Sequence, residues 1–129
     1  MSRKILVDTS VWVNYFKDDP STTVFIEKNL FTKEIYITGP IITELLAGTE
    51  STKEKKRLQY SFGAVNTLNV SLNDWILAGE LLSSIKAKGK SINKTDALIA
   101  SVAYNNDCEI LSFNKSLQLI DIVKKANIT

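Results

Sequence analysis

The sequence of 129 residues contains no histidine, a single cysteine and only two prolines. Without histidine, the chain cannot form a Ser-His-Asp or Cys-His nucleophile pair, a His-ligated metal site or an imidazole general base. Cys108 alone cannot form an internal disulfide or a CxxC site, which fits a reducing compartment. Any acid–base or metal chemistry therefore has to use carboxylates, lysine, tyrosine or this one cysteine.

Long hydrophobic runs are also absent. No apolar stretch approaches the roughly 18 residues that a membrane-spanning helix needs, and the first residues are too few for a signal peptide. Hydrophobic residues make up 44% and charged residues 23% of the chain, which excludes disorder. We therefore expect a soluble, cytoplasmic protein whose residues 1–129 form one domain. Its net charge of +2 permits nucleic-acid binding without indicating it.

Short β-type runs alternate with segments of helical periodicity along the whole chain. The predicted strands cover residues 5–7, 35–37, 65–70 and 108–112. The predicted helices start at the caps Ser10, Ser21, Ser51 and Ser71, at Pro40 (ending at Gly48) and at Thr95 (ending at Tyr104), with a short helix over 115–120. Strands separated by helices predict βα units, and the fold class is α/β: a three-layer α/β/α domain with a central parallel sheet.

Polar side chains follow the predicted strands where sites form in such sheets, at the carboxyl ends. Asp8 follows the first strand, Glu44 lies early in the helix after the second, Asp96 heads the apolar helix 95–104, and Asn114 follows the last strand. Each has an ordinary alternative. Asp8 could cap a helix together with Ser10, and Glu44 could be a surface residue. Asp96 could interact with the helix dipole, and Asn114 could be a turn residue. A functional site is favoured because all four residues are expected at the same edge of the sheet.

Three carboxylates brought together would repel one another unless cations neutralise them. Oxygen ligands without histidine or cysteine favour Mg²⁺ or Mn²⁺ over zinc. Two divalent ions carry a charge of about +4 and the three carboxylates about −3, so the net positive charge would attract a phosphodiester. The predicted chemistry is therefore metal-dependent phosphodiester hydrolysis.

Three segments resemble the acid-bearing blocks of PIN-domain ribonucleases, most closely the VapC toxins of toxin–antitoxin modules. The segments are VDTSVWV at 7–13, ITELLAG at 42–48 and TDALIA at 95–100. The resemblance implies that Asp8, Glu44 and Asp96 bind one or two Mg²⁺ or Mn²⁺ ions, with Ser10 in support. It also implies an RNA substrate, a cognate antitoxin and a homodimer. We expect a basic antitoxin side chain to pair with one of the three acids.

The segment SFNKSL at 112–117 departs from the family pattern. Many members carry two acids in this segment, whereas this chain has none. Asn114 is the residue expected at the fourth position of the site. A neutral side chain adds no charge to attract a second ion, so we expect one tighter and one weaker metal-binding event.

Two basic clusters and an aromatic group complete the candidates. We expect the first cluster to contact phosphates, with Lys94 also able to stabilise charge on the scissile phosphate, and the second to be a solvated face. The first comprises Lys86, Lys88, Lys90 and Lys94, and the second Lys53, Lys55, Lys56 and Arg57. The spacing of Trp12, Tyr15 and Phe16 is typical of a core or a dimer interface. We expect the dimer surface to use Trp12, Phe16, Val24 and Phe25.

Two other functions compete with a nuclease. A receiver domain of the response-regulator type is also a small, Mg²⁺-binding α/β domain, but it requires a phosphoacceptor acid after the third strand. Residues 65–70 offer no acid. The stronger alternative is a catalytically weak or dead PIN-fold module that only binds a partner, which the missing fourth acid favours.

Overall fold

Four short parallel strands form the centre of the structure, a computed structural model that describes residues 3–128. The strands are β1 (Ile5–Val7), β2 (Ile35–Thr38), β3 (Asn66–Leu68) and β4 (Glu109–Leu111), in the order β3-β2-β1-β4. β1 pairs with β2 through Ile5 and Ile35, and with β4 through Val7 and Leu111. Every residue of β1 is buried, as expected for a central parallel strand covered on both faces.

Helices connect the strands and flank the sheet, so the predicted three-layer α/β/α fold with a central parallel sheet is confirmed. The helices are α1 (Thr9–Phe16), α2 (Pro20–Phe31), α3 (Gly39–Ala47), α4 (Thr52–Phe62), α5 (Leu72–Ala87) and α6 (Lys94–Asn105), followed by a 3₁₀ helix (Lys115–Leu119). Within the described range 3–128, no helix is long and apolar enough to cross a membrane.

Helix α6 is the buried helix that the sequence predicted. All its residues from Asp96 to Ala103 are buried. A buried carboxylate on the neighbouring helix fixes its far end: Asp74 of α5 accepts hydrogen bonds from its own capping residue, Ser71 N–H, at 2.8 Å and from Asn105 Nδ2 at 2.7 Å. These bonds hold α6 against α5 and so fix the direction in which Asp96 enters the sheet edge.

Two helix caps differ from the prediction. Helix α1 is capped by Asp8 and not by Ser10, because Asp8 has the extended backbone of a cap and its carbonyl accepts from the N–H groups of Val11 and Trp12. Helix α2 is capped by Asp19 and not by Ser21. The Asp19 carboxylate accepts from the Thr22 N–H at 3.1 Å, and Pro20 takes the first helical position.

Most other helix signals are confirmed, although α3 begins at Gly39, one residue before Pro40, and α6 begins at Lys94 after its cap Asn93, one residue before Thr95. Ser51 accepts from the Glu54 N–H, and Ser71 with Asp74 forms a reciprocal capping box. Gly89 turns the chain after α5 with φ +78°, a conformation that favours glycine. The short strand predicted within 65–70 is β3, and the short helix predicted over 115–120 is a 3₁₀ helix, whereas the strand predicted over 108–112 is shorter than expected.

The proposed dimer surface in the first two helices is wrong in part. Trp12 is only 1% exposed, and its indole Nε1 donates to the Val7 carbonyl at 3.0 Å. Phe25 is also buried, so both residues belong to the core, whereas Val24 is exposed. Large exposed apolar side chains occur instead at the start of α5, at Leu72, Trp75 and Ile76.

Candidate functional site

Asp8 lies where β1 ends and α1 begins, and it is almost fully buried. Its backbone N–H donates to the Leu111 carbonyl at 2.9 Å, which joins the ends of β1 and β4. Its carboxylate Oδ2 accepts from Ser112 Oγ at 2.7 Å and from Ser10 Oγ at 3.1 Å. The two hydroxyls fix the orientation of the carboxylate at the carboxyl edge of the sheet.

The same two serines hold the segment that follows β4. Ser10 Oγ accepts from the Phe113 N–H at 3.0 Å, and Ser112 Oγ accepts from the Asn114 N–H at 2.9 Å. Ser10 therefore supports the site as predicted by position, although not as a helix cap. Ser112 was missed by the sequence analysis. The predicted last strand includes it, whereas β4 ends at Leu111, so that Ser112 follows its strand as Asp8 follows β1.

Asp96 enters the edge from the first turn of α6 and is only 4% exposed. The side chain of Asn93 caps the helix by accepting from the Asp96 N–H at 2.7 Å. The pKa of Asp96 is raised from 3.8 to about 6: burial raises it most, repulsion from Asp8 and then from Glu44 adds to this, and a hydrogen bond from Asn114 lowers it. The fold has therefore brought the three predicted acids close enough to repel one another.

Asn114 contacts Asp96 directly. Its amide Nδ2 donates to Oδ2 of Asp96 at 3.2 Å and lies 3.4 Å from Oδ1. Its Oδ1 accepts from the Ser116 N–H at 2.9 Å and so caps the 3₁₀ helix. One side chain thus both contacts a predicted site acid and caps the helix that follows the turn.

Glu44 is exposed on α3, as the ordinary alternative expected, yet it is not free. Its Oε1 accepts from Thr9 Oγ1 at 2.8 Å, and Thr9 follows Asp8 in the chain. Thr9 is a second hydroxyl that the sequence analysis missed, although it lies beside the end of β1. The hydrogen bond from Thr9 holds the Glu44 carboxylate close to the start of α1.

Comparison with known proteins identifies the family of this chain. Residues 5–123 match the PIN domain family. The chain belongs to the PIN domain family. Among curated proteins it is 26% identical over 121 residues to VapC ribonuclease Mb1587 of Mycobacterium bovis and to ribonuclease VapC11 of Mycobacterium tuberculosis, and each alignment covers 90% of both proteins. The resemblance stated from the sequence motifs is confirmed.

Solved structures of similar PIN domains show the same fold. One is VapBC2 from Rickettsia felis bound to a DNA fragment from its promoter, with a TM-score of 0.83, 22% identity and coverage of 95% of this chain and 97% of that one. Another is DNA-bound VapBC from Salmonella typhimurium, with a TM-score of 0.83, 17% identity and coverage of 98% and 99%. These similarities establish the α/β/α architecture.

The donor set of this PIN domain fits a hard divalent cation by charge and by donor type. Carboxylate oxygens that repel one another at a buried edge gain from a cation, and Asp96 carries the clearest sign of that repulsion. Within residues 3–128, no three ligating side chains already surround one point. Glu44 is directed to Thr9 and Asp96 to Asn114, so both would have to change partners to share an ion.

The two basic clusters predicted from the sequence are both exposed. Lys94 is the first residue of α6, two positions before Asp96. Lys88 and Lys90 line a small cavity together with Gln118, close to the 3₁₀ helix that Asn114 caps. The second cluster lies on α4, where Arg57 is 3.7 Å from Glu54 and its guanidinium lies 5.2 Å above the ring of Phe16.

A groove of about 230 Å³ adjoins Glu44 on the side of α1, α3 and α4. Thr9 and Glu44 lie at its lining together with apolar side chains from all three helices. These apolar residues are Val13, Phe16, Leu45 and Leu58. The PIN domain therefore presents an apolar channel that continues to one of its acids.

Proposed function

We propose that this PIN domain is a metal-dependent endoribonuclease and the toxin of a type II toxin–antitoxin module. The observation that carries the proposal is the convergence of Asp8, Glu44 and Asp96, in which burial and mutual repulsion raise the pKa of Asp96 to about 6. The names of its relatives, VapC ribonucleases, support the choice of RNA as substrate. In this proposal residues 1–129 act as one nuclease domain in the cytoplasm.

The three acids would hold one or two Mg²⁺ or Mn²⁺ ions. When bound, such an ion supplies positive charge that polarises a phosphodiester and lowers the pKa of water. Ser10 and Ser112 keep Asp8 in a single orientation, so the carboxylate loses little freedom when it binds an ion. Without histidine, the proton from the attacking water goes to a carboxylate or to solvent.

RNA would approach along the lysine-rich segment between α5 and α6. Lys86, Lys88, Lys90 and Lys94 are exposed and lead towards Asp96, where they can neutralise backbone phosphates. Lys94 is the one nearest in sequence to an acid. It is therefore the candidate for stabilising charge on the scissile phosphate.

A protein antitoxin is the proposed partner. Several of the solved structures of similar fold are VapBC toxin–antitoxin complexes. The apolar groove that ends at Glu44 suits an amphipathic segment whose apolar side chains fill the groove. A basic side chain of the same segment would pair with Glu44, Asp8 or Asp96 and block the site.

A catalytically weak or dead PIN module that only binds a partner is the second candidate. The observation that favours it is Asn114, which gives no negative charge where many relatives carry an acid. The two candidates differ in one outcome. A dead module binds the antitoxin through the groove without cleaving RNA in the presence of metal.

Expression in a bacterial host tests the toxin assignment. We expect the parent to stop growth and to leave cleaved RNA, and co-expression of the neighbouring reading frame to restore growth. Asp96→Asn should not affect growth, whereas Glu80→Gln, a change on the exposed face of α5, should be as toxic as the parent. Unimpaired growth and intact RNA with the folded parent would contradict the assignment.

A further inference from the structure

The orientation of the Asn114 amide is fixed by two independent contacts. Its Oδ1 accepts from the Ser116 N–H at 2.9 Å, and its Nδ2 donates to the Asp96 carboxylate at 3.2 Å. Turning the amide over would set its NH₂ against the Ser116 N–H and its oxygen against the carboxylate. Both contacts would then become repulsive, so the two neighbours enforce the same orientation.

This orientation decides what Asn114 can offer to an ion. Its only ligating atom is the carbonyl oxygen, which is engaged in capping the 3₁₀ helix and faces away from Asp96. Its amide hydrogens face the acids, on the side where a cation beside Asp96 would be. A second ion there would have to displace the amide and break the helix cap.

The segment that carries Asn114 is also fixed by its backbone. The Asn114 N–H donates to Ser112 Oγ at 2.9 Å, and Ser112 Oγ donates to Asp8 at 2.7 Å. Asn114 therefore contacts Asp96 through its side chain and is linked to Asp8 through its backbone N–H and Ser112. The backbone of Asn114 is thus held beside the anchor of Asp8, and its side chain reaches Asp96 from that fixed position.

We infer that Asn114 is a positioning residue that takes the place of a second cation beside Asp96, and that this chain binds a single divalent ion. The inference rests on the proposed function and makes it more specific, because the sequence alone predicts two events of unequal affinity. The neutral amide donates to one carboxylate and so relieves part of the charge that would otherwise attract a second ion.

Counting Mn²⁺ per chain tests this inference without any RNA. Equilibrium dialysis of the purified protein should give one ion for the parent and two for Asn114→Asp. In that variant a carboxylate oxygen still caps the 3₁₀ helix while the other faces Asp96. Asn114→Asp should take up its second ion at Mn²⁺ concentrations at least about tenfold below those at which the parent still holds only one.

Asn114→Ser separates positioning from a merely structural role. Serine retains a side-chain oxygen for the helix cap but removes the amide that donates to Asp96, so this variant should fold like the parent and take up a second ion more readily than the parent, though less readily than Asn114→Asp. Parental Mn²⁺ binding by a folded Asn114→Ser would mean that the amide has only a structural role. Metal-free Asn114→Asp should melt below the parent, and Mn²⁺ should raise its melting temperature more than it raises that of the parent.

The outcomes distinguish the inference from the proposed function. Two ions of similar affinity on the parent, or a single ion on Asn114→Asp, would overturn the inference and leave a metal-dependent nuclease in place. No ion on any variant would overturn both.

Discussion

Asp96 carries the electrostatic cost of the site. Its pKa of about 6 in the folded chain lies above its ordinary value of 3.8, so the folded state holds the proton more tightly than the unfolded state. Without metal, the contribution of this group to the free energy of unfolding therefore falls as the pH rises from about 4 to above 6. At neutral pH the ionised carboxylate of Asp96 therefore destabilises the folded chain.

We predict that Asp96→Asn unfolds at a higher temperature than the parent at pH 8 without metal. Two pKa units at about 1.4 kcal/mol each, reduced by solvent screening at the edge of the site, give a gain on the order of 2 kcal/mol in the free energy of unfolding. The gain should vanish near pH 4, where both side chains are neutral. Thermal melts of the parent and Asp96→Asn between pH 4 and pH 8 measure this gain, with Glu80→Gln as the control. A difference in melting temperature that stays the same at every pH would contradict the electrostatic cause.

The residues of the site were only partly predictable from the sequence. Asp8 and Asp96 follow from their positions after a strand and at the head of a buried helix. The partners of the acids did not follow, because they depend on contacts between distant segments: Ser112 reaches Asp8 across 104 residues and Thr9 reaches Glu44 across 35. Side-chain hydroxyls leave no periodic pattern that reveals such pairs.

At the scale of elements, helix ends were predicted best where the signal is local. Ser71 with Asp74 formed the expected capping box, since both partners lie within four residues. At α1 and α2 two nearby polar residues competed, and the aspartate at the strand or turn boundary became the cap instead of the serine. The backbone direction at that boundary, which the sequence does not reveal, decided between them.

The two basic clusters predict different effects on RNA binding. Lys88→Gln with Lys90→Gln should weaken binding of a single-stranded RNA and reduce its salt dependence by about 0.7 in the logarithmic slope for each phosphate that is no longer neutralised. Lys55→Gln with Lys56→Gln on α4 removes the same charge and should change binding much less. Titrations at several salt concentrations compare the pairs. Equal weakening by both pairs would mean that general charge, and not the segment before α6, attracts RNA.

At the scale of the whole molecule, the proposed homodimer should use the exposed start of α5. Leu72, Trp75 and Ile76 lie on neighbouring positions of the helix and are 74%, 60% and 51% exposed. A symmetric pairing of this face would bury them all. We predict that the parent is a dimer and that Trp75→Glu is a folded monomer.

Light scattering after size-exclusion chromatography measures this prediction. Phe31→Glu is the matched control, because Phe31 is a large and highly exposed apolar side chain on α2. The control should remain a dimer. A monomeric parent, or an unchanged dimer of Trp75→Glu, would rule out the α5 face.

The fold as a whole was predictable because alternating strands and helices permit few arrangements. The strand order β3-β2-β1-β4 places β1 between β2 and β4, so the segments that bear the acids converge at one edge. The prediction that Trp12 and Phe25 belong to a dimer surface was wrong because both are buried in the core. The aromatic spacing of Trp12 and Phe16 is typical of core and interface alike, and only burial separates the two.

Cleavage of RNA by the purified chain, with the metal first removed and then restored, tests the central claim most directly. The parent should be inactive in chelator and should cleave RNA internally when Mg²⁺ or Mn²⁺ is added. Asp8→Asn should lose most of this activity while its melting temperature and fold are retained. Cleavage by Asp8→Asn at the parental rate, or by the parent in chelator, would contradict a metal-dependent site built on these acids.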